Sequence, residues 1–414
     1  MRTLIRNIRI FDGTGSAPFP GAVLVDGERI AAVMPSDQAA SDVAADGVID
    51  GVIDGRGGTL MPGMVDAHAH LTWGSSVEQI YHQFILPPEE LEIAATRNAR
   101  VLLDHGFTSA YSGGALGDGI EVRLAKAIAA GETPGPRLVP STLERSPEGG
   151  EGVETGDVFN GRGAAAVQAF MAYCAKQGVR SVKLVISGED ALKPGSSGDI
   201  LYTDEEMQAA GAAAKDAGLW IAAHAYTPKA IAMALGAGAR ILYHCSFADA
   251  AAIDAMAAQK NAIFYAPGCG VSVAALEASP PPHIDMSAMK ASAAQRMELE
   301  SRLVPELRKR GVRVLIGGDY GFPFNPHGRN ARDLEHFVTH FGYTPAEALS
   351  AATMLGGQLM GLEVGLVKPG YLADLLLVDC DPTQDVSILQ DNDRLSMIMQ
   401  GGALHKSPAL AAAA

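Results

Sequence analysis

Six residues of types that hold metal ions or move protons sit in apolar, strand-like runs of this chain. They are His68 and His70 in PGMVDAHAH, Lys183 in SVKLVISG, His224 in LWIAAHAY, His244 in ARILYHCS, and Asp319 after Gly317-Gly318 in VRVLIGGDYG. Residues i and i+2 of a strand face the same side, so the imidazoles of His68 and His70 can reach one ion. A pair of core histidines would look the same. A lysine in an apolar strand is costly to bury as an ammonium ion, and burial there lowers its pKa. The alternative for Lys183 is a snorkelling or ion-paired side chain. A single histidine at a strand end is more often a satisfied core residue than a ligand. Four histidines, a lysine and an aspartate spread over five such runs are hard to treat as accident, and together they point to a metal-centred site.

The elements that must position them follow from the texture of the sequence. From Leu60 onward, eight apolar runs alternate with Ala-rich helical stretches, the pattern of βα units around a parallel sheet. The runs are LMPGMVDAHAH, GFTSAYSGG, RLVPSTL, SVKLVISG, LWIAAHAY, ARILYHCS, AIFYAPGCG and VRVLIGGDYG. The histidines, lysine and aspartate fall on runs one, four, five, six and eight. Eight units suggest a (β/α)8 TIM barrel, which places chemistry at the C-terminal ends of its strands. The segment TDEEMQAAGAAAKDAG reads as a helix with Thr203 as N-cap, Glu206 closing a capping box and Gly218 as C-cap. Before the barrel, TLIRNIRIFDG alternates apolar and polar residues, and AVLVDGERIAAVMP reads as a hairpin about Asp26-Gly27. After it, VGLVKPGYLADLLLVDCDP returns to strand and turn. The α/β chain therefore divides into a first β segment (1–59), the barrel (60–362), a second β segment (363–407) and a disordered tail (408–414). The two β segments are expected to pair into one small domain.

At 414 residues and 48% hydrophobic composition there is ample material for a core. Lys and Arg number 32 against 47 Asp and Glu, a net charge of -15 that repels phosphate backbones and anionic lipid. Nucleic-acid and membrane partners are accordingly not expected. No window offers the ~20 apolar residues of a membrane helix, and no signal-peptide pattern opens the chain. Cys174, Cys245, Cys269 and Cys380 lie far apart with no CxxC pair, which speaks against disulfides or a zinc ribbon and for a reducing, cytoplasmic setting.

PGMVDAHAH and the late AATMLGG…GLVKPGYLADLLLVD resemble the signatures of the amidohydrolase superfamily, and the resemblance runs from Ile5 to about His405. It implies a barrel with a β-sandwich built from both termini. It also implies the binuclear subtype, in which His68, His70 and Asp319 hold one divalent ion, His224 and His244 the other, and Lys183, carboxylated by CO2, bridges them. Zinc suits such ligands, and cobalt or manganese fit the same set. His224-Ala-Tyr226-Thr-Pro228 and GGDYGF…PHGRNARDLEHFV resemble the clade of prolidases, ochratoxin-type amidases, and phenylurea and molinate hydrolases. Thr227 stands where related mononuclear deaminases carry a glutamate, and Lys183 separates the chain from mononuclear imidazolonepropionases.

The resemblance implies attack of a metal-bridging hydroxide on a linear amide, urea or carbamate carbonyl. Asp319 would act as base and then acid, with Tyr226 donating to the oxyanion. Trp73, His283 and His327 are candidate substrate contacts. The loop around VSVAALEASPPPHIDM is expected to wall an apolar pocket, and the acidic, Gly-rich ERSPEGGEGVETGDVFNGRG to form a lid. A dipeptidase would need a cation for the free carboxylate. Arg162 and Arg329 are the candidates, neither compelling, so a neutral or aromatic small-molecule substrate is preferred over Xaa-Pro or other dipeptides. A non-catalytic scaffold is the remaining alternative, and homo-oligomers are expected as in the superfamily.

Overall fold

The computed structural model describes residues 1–35, 49–74, 87–147, 160–190, 193 and 195–408. His82, most of the expected lid (148–159) and the alanine-rich tail from 409 lie outside the described residues. Strand β1 (Arg2–Ile10) pairs antiparallel with β2 (Phe19–Asp26), which turns into β3 (Arg29–Met34) with Asp26 opposite Arg29. That is the hairpin the Asp26-Gly27 turn predicts. β4 (Gly51–Asp54) and β5 (Thr59–Pro62) run parallel to β1.

The run from Leu60 to His70 is two strands rather than one. β5 belongs with the N-terminal strands, and β6 (Met64–Ala69) begins the parallel set just after Gly63. The side chain of Thr108 packs where a Cβ at Gly63 would lie, 2.1 Å away, so only glycine allows this passage. β6, β7 (Phe107–Ser112) and β8 (Arg137–Val139) form one parallel sheet. β9 (Ser181–Val185), β10 (Trp220–Ala225), β11 (Ile241–His244), β12 (Phe264–Ala266) and β13 (Arg313–Val314) form another. Two seams join them. Arg145 N–H donates to the Lys183 carbonyl, and Val185 N–H to the Arg145 carbonyl, both at 3.0 Å. On the other side Ala67 N–H donates to the Ile316 carbonyl at 3.3 Å, and Ala69 bridges Tyr320 in parallel.

Alternate residues of these strands sort into different clusters, as a period of two requires. Ala222, Tyr243 and Phe264 join one apolar cluster, while Ile221, Ala223, Leu242 and Tyr265 pack in the larger cluster that includes the helices. Those helices are α1 (Pro88–Asp104), α2 (Ile120–Ala129), α3 (Ala164–Gln177), α4 (Asp204–Ala217), α5 (Pro228–Gly236), α6 (Ala250–Ala258), α7 (Cys269–Glu277), α8 (Ser287–Lys309), α9 (Arg332–Phe341), α10 (Pro345–Ala352) and α11 (Met354–Met360). Helix α4 has the expected caps: Glu206 N–H donates to the Thr203 hydroxyl at 3.1 Å, Thr203 N–H to the Glu206 carboxylate at 2.7 Å, and Gly218 closes the helix at φ 67°. The helical periodicity of TPAEALSAATMLGGQLMG breaks at Thr353 into α10 and α11.

β14 (Leu375–Val378) pairs antiparallel with β5, and β15 (Leu395–Gln400) and β16 (Ala403–Lys406) extend the edge. The strands of both chain ends thus share one eight-stranded sheet, with Ile5, Ile8, Val23 and Leu60 packed against Leu375, Leu377 and Met397.

Candidate metal centre

The parallel strands deliver five of the six predicted ligand side chains to one buried space, and Asp319 joins them from the segment after β13. Ligand atoms of His68, His70 and Asp319 lie within 4.8 Å of one another, and those of Glu189, His224 and His244 form a second such group. Asp319 Oδ1 is 3.0 Å from His70 Nε2 and 3.8 Å from His68 Nε2. Lys183 lies between Val182 and Leu184, whose side chains pack toward the helices, so its own goes inward. Its ammonium donates to the Gly113 carbonyl at 2.6 Å and sits 3.3 Å from His68 Nε2 and 4.5 Å above the Tyr243 ring.

Surrounding groups fix the imidazoles. His70 Nδ1 is 3.0 Å from the Gly114 carbonyl, which leaves Nε2 toward Asp319. The His68 ring stacks on Tyr243 at 3.7 Å, and a side chain at Gly113 would come within 2.2 Å of it. Asp66, behind the centre, accepts from His68 N–H and from the Asn330 amide. Asn325 donates to the carbonyls of Gly318 and Asp319. His244, Cys245 and Asp319 have φ of 69°, 55° and 59°, a left-handed backbone that non-glycine residues adopt at a cost. Among the described residues, the other positive-φ non-glycine positions, Asn7 and Arg56, lie away from these strand ends.

Electrostatics suits ligands and a base. Burial, then Lys183 and the neighbouring imidazoles, hold His68 well below the usual histidine range. Burial and His224 do the same for His244. Burial raises the Asp319 carboxyl, but the hydrogen bond and charge of His70 outweigh it and leave the group below its ordinary value, hence ionised. Burial lowers the Lys183 ammonium. Tyr226 is pushed well above the phenol range, chiefly by burial, and its hydroxyl donates to Glu189 Oε2 at 2.9 Å.

Three of the predicted substrate contacts are placed differently from one another. Trp73 is buried and stacks on His70 at 4.2 Å. His327 has a ring nitrogen 3.0 Å from the His70 carbonyl, and burial lowers its pKa to about 4, so the neutral ring buttresses His70. His283 is exposed at the surface of its loop. That loop does wall an apolar cavity of about 440 Å³ with Pro280, Pro281, Ile284, Met286 and Phe324, and Arg329 reaches its rim. Arg162 is exposed and donates to the Leu201 carbonyl. Thr227 caps α5 by accepting from Ala230 N–H.

Glu189 and Arg296 are the site residues the sequence reading missed. Glu189 follows β9 in a polar turn, where only its distance from Lys183 could have marked it. Arg296 lies within α8, on a helix without a motif. It is buried, 3.8 Å from Glu189 and 5.7 Å from the Tyr226 ring, and donates to Ser272 and Ser292.

One turn further along α8, buried Glu300 accepts from the Ser246 hydroxyl at 2.6 Å, and burial raises its pKa from 4.5 to about 8. Because the folded value exceeds the unfolded one, the proton-linked contribution is present at low pH and is lost as pH rises from about 4.5 to 8. Glu300→Gln is therefore expected to flatten the decline in unfolding free energy between pH 5 and pH 8.5, measured by denaturant titration. Parallel wild-type and variant curves would assign the decline to other groups.

The strands and the segment after β13 bring imidazoles, a lysine and an aspartate to one buried centre, and with the family match of residues 59–404 the chain is a hydrolase acting on carbon–nitrogen bonds. Residues 59–404 match the Amidohydrolase family, and the chain belongs to that family. It is 26% identical to ochratoxinase of Aspergillus niger, covering 99% of this chain and 87% of that protein. It is also 26% identical to an imidazolonepropionase of Rubrobacter xylanophilus, over 93% of this chain and 91% of that protein. Among solved structures it superposes on a Xaa-Pro dipeptidase with bound methionine at TM-score 0.86, with 24% identity over 98% of this chain and all of the other. Phenylurea hydrolase B gives TM-score 0.75 with 19% identity over 98% and 96% of the two chains. These structural neighbours imply a TIM-barrel α/β fold. Among the described residues no helix is long and apolar enough to cross a membrane.

Proposed function

We propose that this enzyme is a binuclear metal-dependent hydrolase that cleaves a linear amide, urea or carbamate bond in an apolar or aromatic small molecule. The observation that carries the reading is the presence of two buried ligand groups, His68/His70/Asp319 and Glu189/His224/His244, with Lys183 3.3 Å from His68. In this reading the seams at Lys183 and Ala67 close a (β/α)8 barrel, and the terminal sheet folds into a sandwich. His68, His70 and Asp319 hold one divalent ion and His224 and His244 the other. An ammonium buried in this space is costly, and carboxylation of Lys183 by CO2 turns it into an anion that two cations stabilise. Zinc matches this donor set, with cobalt and manganese as substitutes. When bound, such ions polarise a carbonyl and acidify water.

The chain's own residues do the rest. Asp319, ionised and hydrogen-bonding distance from His70, takes the proton from the attacking water and delivers it to the departing nitrogen. Tyr226 stays protonated and donates from the opposite group toward the developing oxyanion, on turning from Glu189. Trp73 and His327 hold His70 from behind, and His283 on its exposed loop is a further substrate contact in this reading. The net charge of -15 favours small molecules over nucleic acid or membrane as partners. A cytoplasmic homo-oligomer completes the proposal.

A second reading, a prolidase-like dipeptidase, is favoured by one observation. Arg296 is a buried cation beside the second ligand group, the element that Arg162 and Arg329 failed to supply. The deciding experiment is amine release from metal-loaded protein with a chelated control. Its panel sets aryl ureas, carbamates and N-acyl aromatic amides against Xaa-Pro and other free dipeptides. Chelator-sensitive release from the aryl set alone is expected. Release only from dipeptides overturns the substrate class in favour of the second reading, and no release from a fully metallated protein overturns both.

A further inference from the structure

Behind the centre lies a cluster that the proposed reaction does not use. Cys269 opens α7, and Asp333 and His336, three residues apart and so on one face of α9, meet it. All three side chains are buried, at 1%, 1% and 5% exposure, and a ligand atom from each lies within 4.8 Å of the other two. Asp333 is anchored: Oδ2 accepts from Gly317 N–H and Oδ1 from the Tyr320 hydroxyl, both at 3.0 Å. His336 is not. Its Nδ1 is 3.4 Å from Asp333 Oδ1, yet neither ring nitrogen makes a hydrogen bond among the described residues. A buried imidazole left so costs free energy unless something takes its lone pair.

We infer that Cys269, Asp333 and His336 form a third metal site, selective for zinc or another borderline-soft divalent cation. A thiolate, an imidazole and a carboxylate are a zinc-type donor set, whereas magnesium and calcium prefer oxygen ligands alone. Binding releases the Cys269 proton to solvent, and the thiolate and carboxylate together neutralise the ion's two charges. The site is structural. It joins the start of α7 to α9, and through Asp333 to Gly317 and Tyr320, which bracket Asp319.

The test needs no variant to begin. Metal-free protein is titrated with cobalt while absorbance and bound metal are followed. A thiolate-to-cobalt charge-transfer band in the near ultraviolet, rising with one equivalent beyond those held by the histidine centre, is expected. That centre has no sulfur donor, so the band reports the third site alone and does not depend on activity. Cys269→Ser is expected to lose the band and one equivalent, while Cys380→Ser, at the exposed cysteine, keeps both. Absence of the band in fully loaded wild-type protein overturns the inference, as does a band that disappears with Cys380 instead. Failure of the binuclear reading would show separately, as fewer equivalents with the band intact.

Discussion

Asp319→Asn lowers kcat by about 10²–10⁴-fold, the range for a positioned acid–base group, while both ions of the histidine centre remain bound. Asparagine keeps an oxygen at the place of Asp319 Oδ1, within reach of both His70 and His68, so a ligand is preserved. What it lacks is a site that can accept and release a proton. The left-handed backbone at Asp319, with its carbonyl held by Asn325, limits how far the replacement can move. Steady-state kinetics and metal analysis on the same preparation check this. A variant with full metal and near wild-type kcat would remove Asp319 from the proton transfer. Loss of one ion would assign it to binding instead.

Lys183→Ala is expected to abolish the paired arrangement altogether. Lys183 lies 3.3 Å from His68 of the first ligand group, and alanine leaves the space between the Gly113 carbonyl and the Tyr243 ring empty. Metal held by the histidine centre should fall from two equivalents toward one. Lewis-acid assistance worth several kcal/mol corresponds to a loss of roughly 10³-fold in turnover. If carboxylation is the working form, short-chain carboxylates such as acetate should restore part of the lost activity by occupying the same place. Wild-type apoprotein should also recover faster with bicarbonate during metal loading. A variant that binds two ions and turns over normally would show that the lysine is a buried structural cation.

Much of this candidate site was legible because its predicted ligands sit on strands or just past their ends. A period of two and a fixed barrel position convert sequence spacing directly into direction, so His68, His70, Lys183, His224 and His244 could be placed before any coordinates. Glu189 and Arg296 could not, since a turn and a helix flank carry no such rule. The same limit hid the Cys269, Asp333 and His336 cluster, whose members are 64 and three residues apart on separate elements. Boundaries failed where one residue decides them. Apolar character runs unbroken through Gly63, yet the chain changes sheets there because Thr108 fills the space beside it. The break at Thr353, φ -121° and ψ -84°, likewise interrupts a sequence with helical periodicity on both sides.

The pairing of β5 with β14 carries a consequence for biosynthesis. Leu60 faces Leu377, so strands β1 to β5 cannot complete their sheet until the ribosome has also released β14. At ordinary elongation rates of ~5–20 residues per second, that delay is about 15–60 s. During it, Ile5, Ile8, Val23 and Leu60 lack the apolar cover that Leu375, Leu377 and Met397 later provide. Most barrel strands, in contrast, pair with the next strand as they emerge, and only the seam of Ala67 with Ile316 waits as long. The nascent enzyme thus carries an unfinished, adhesive sheet at its leading end, and chaperone demand during synthesis follows from the same topology that later locks both termini together.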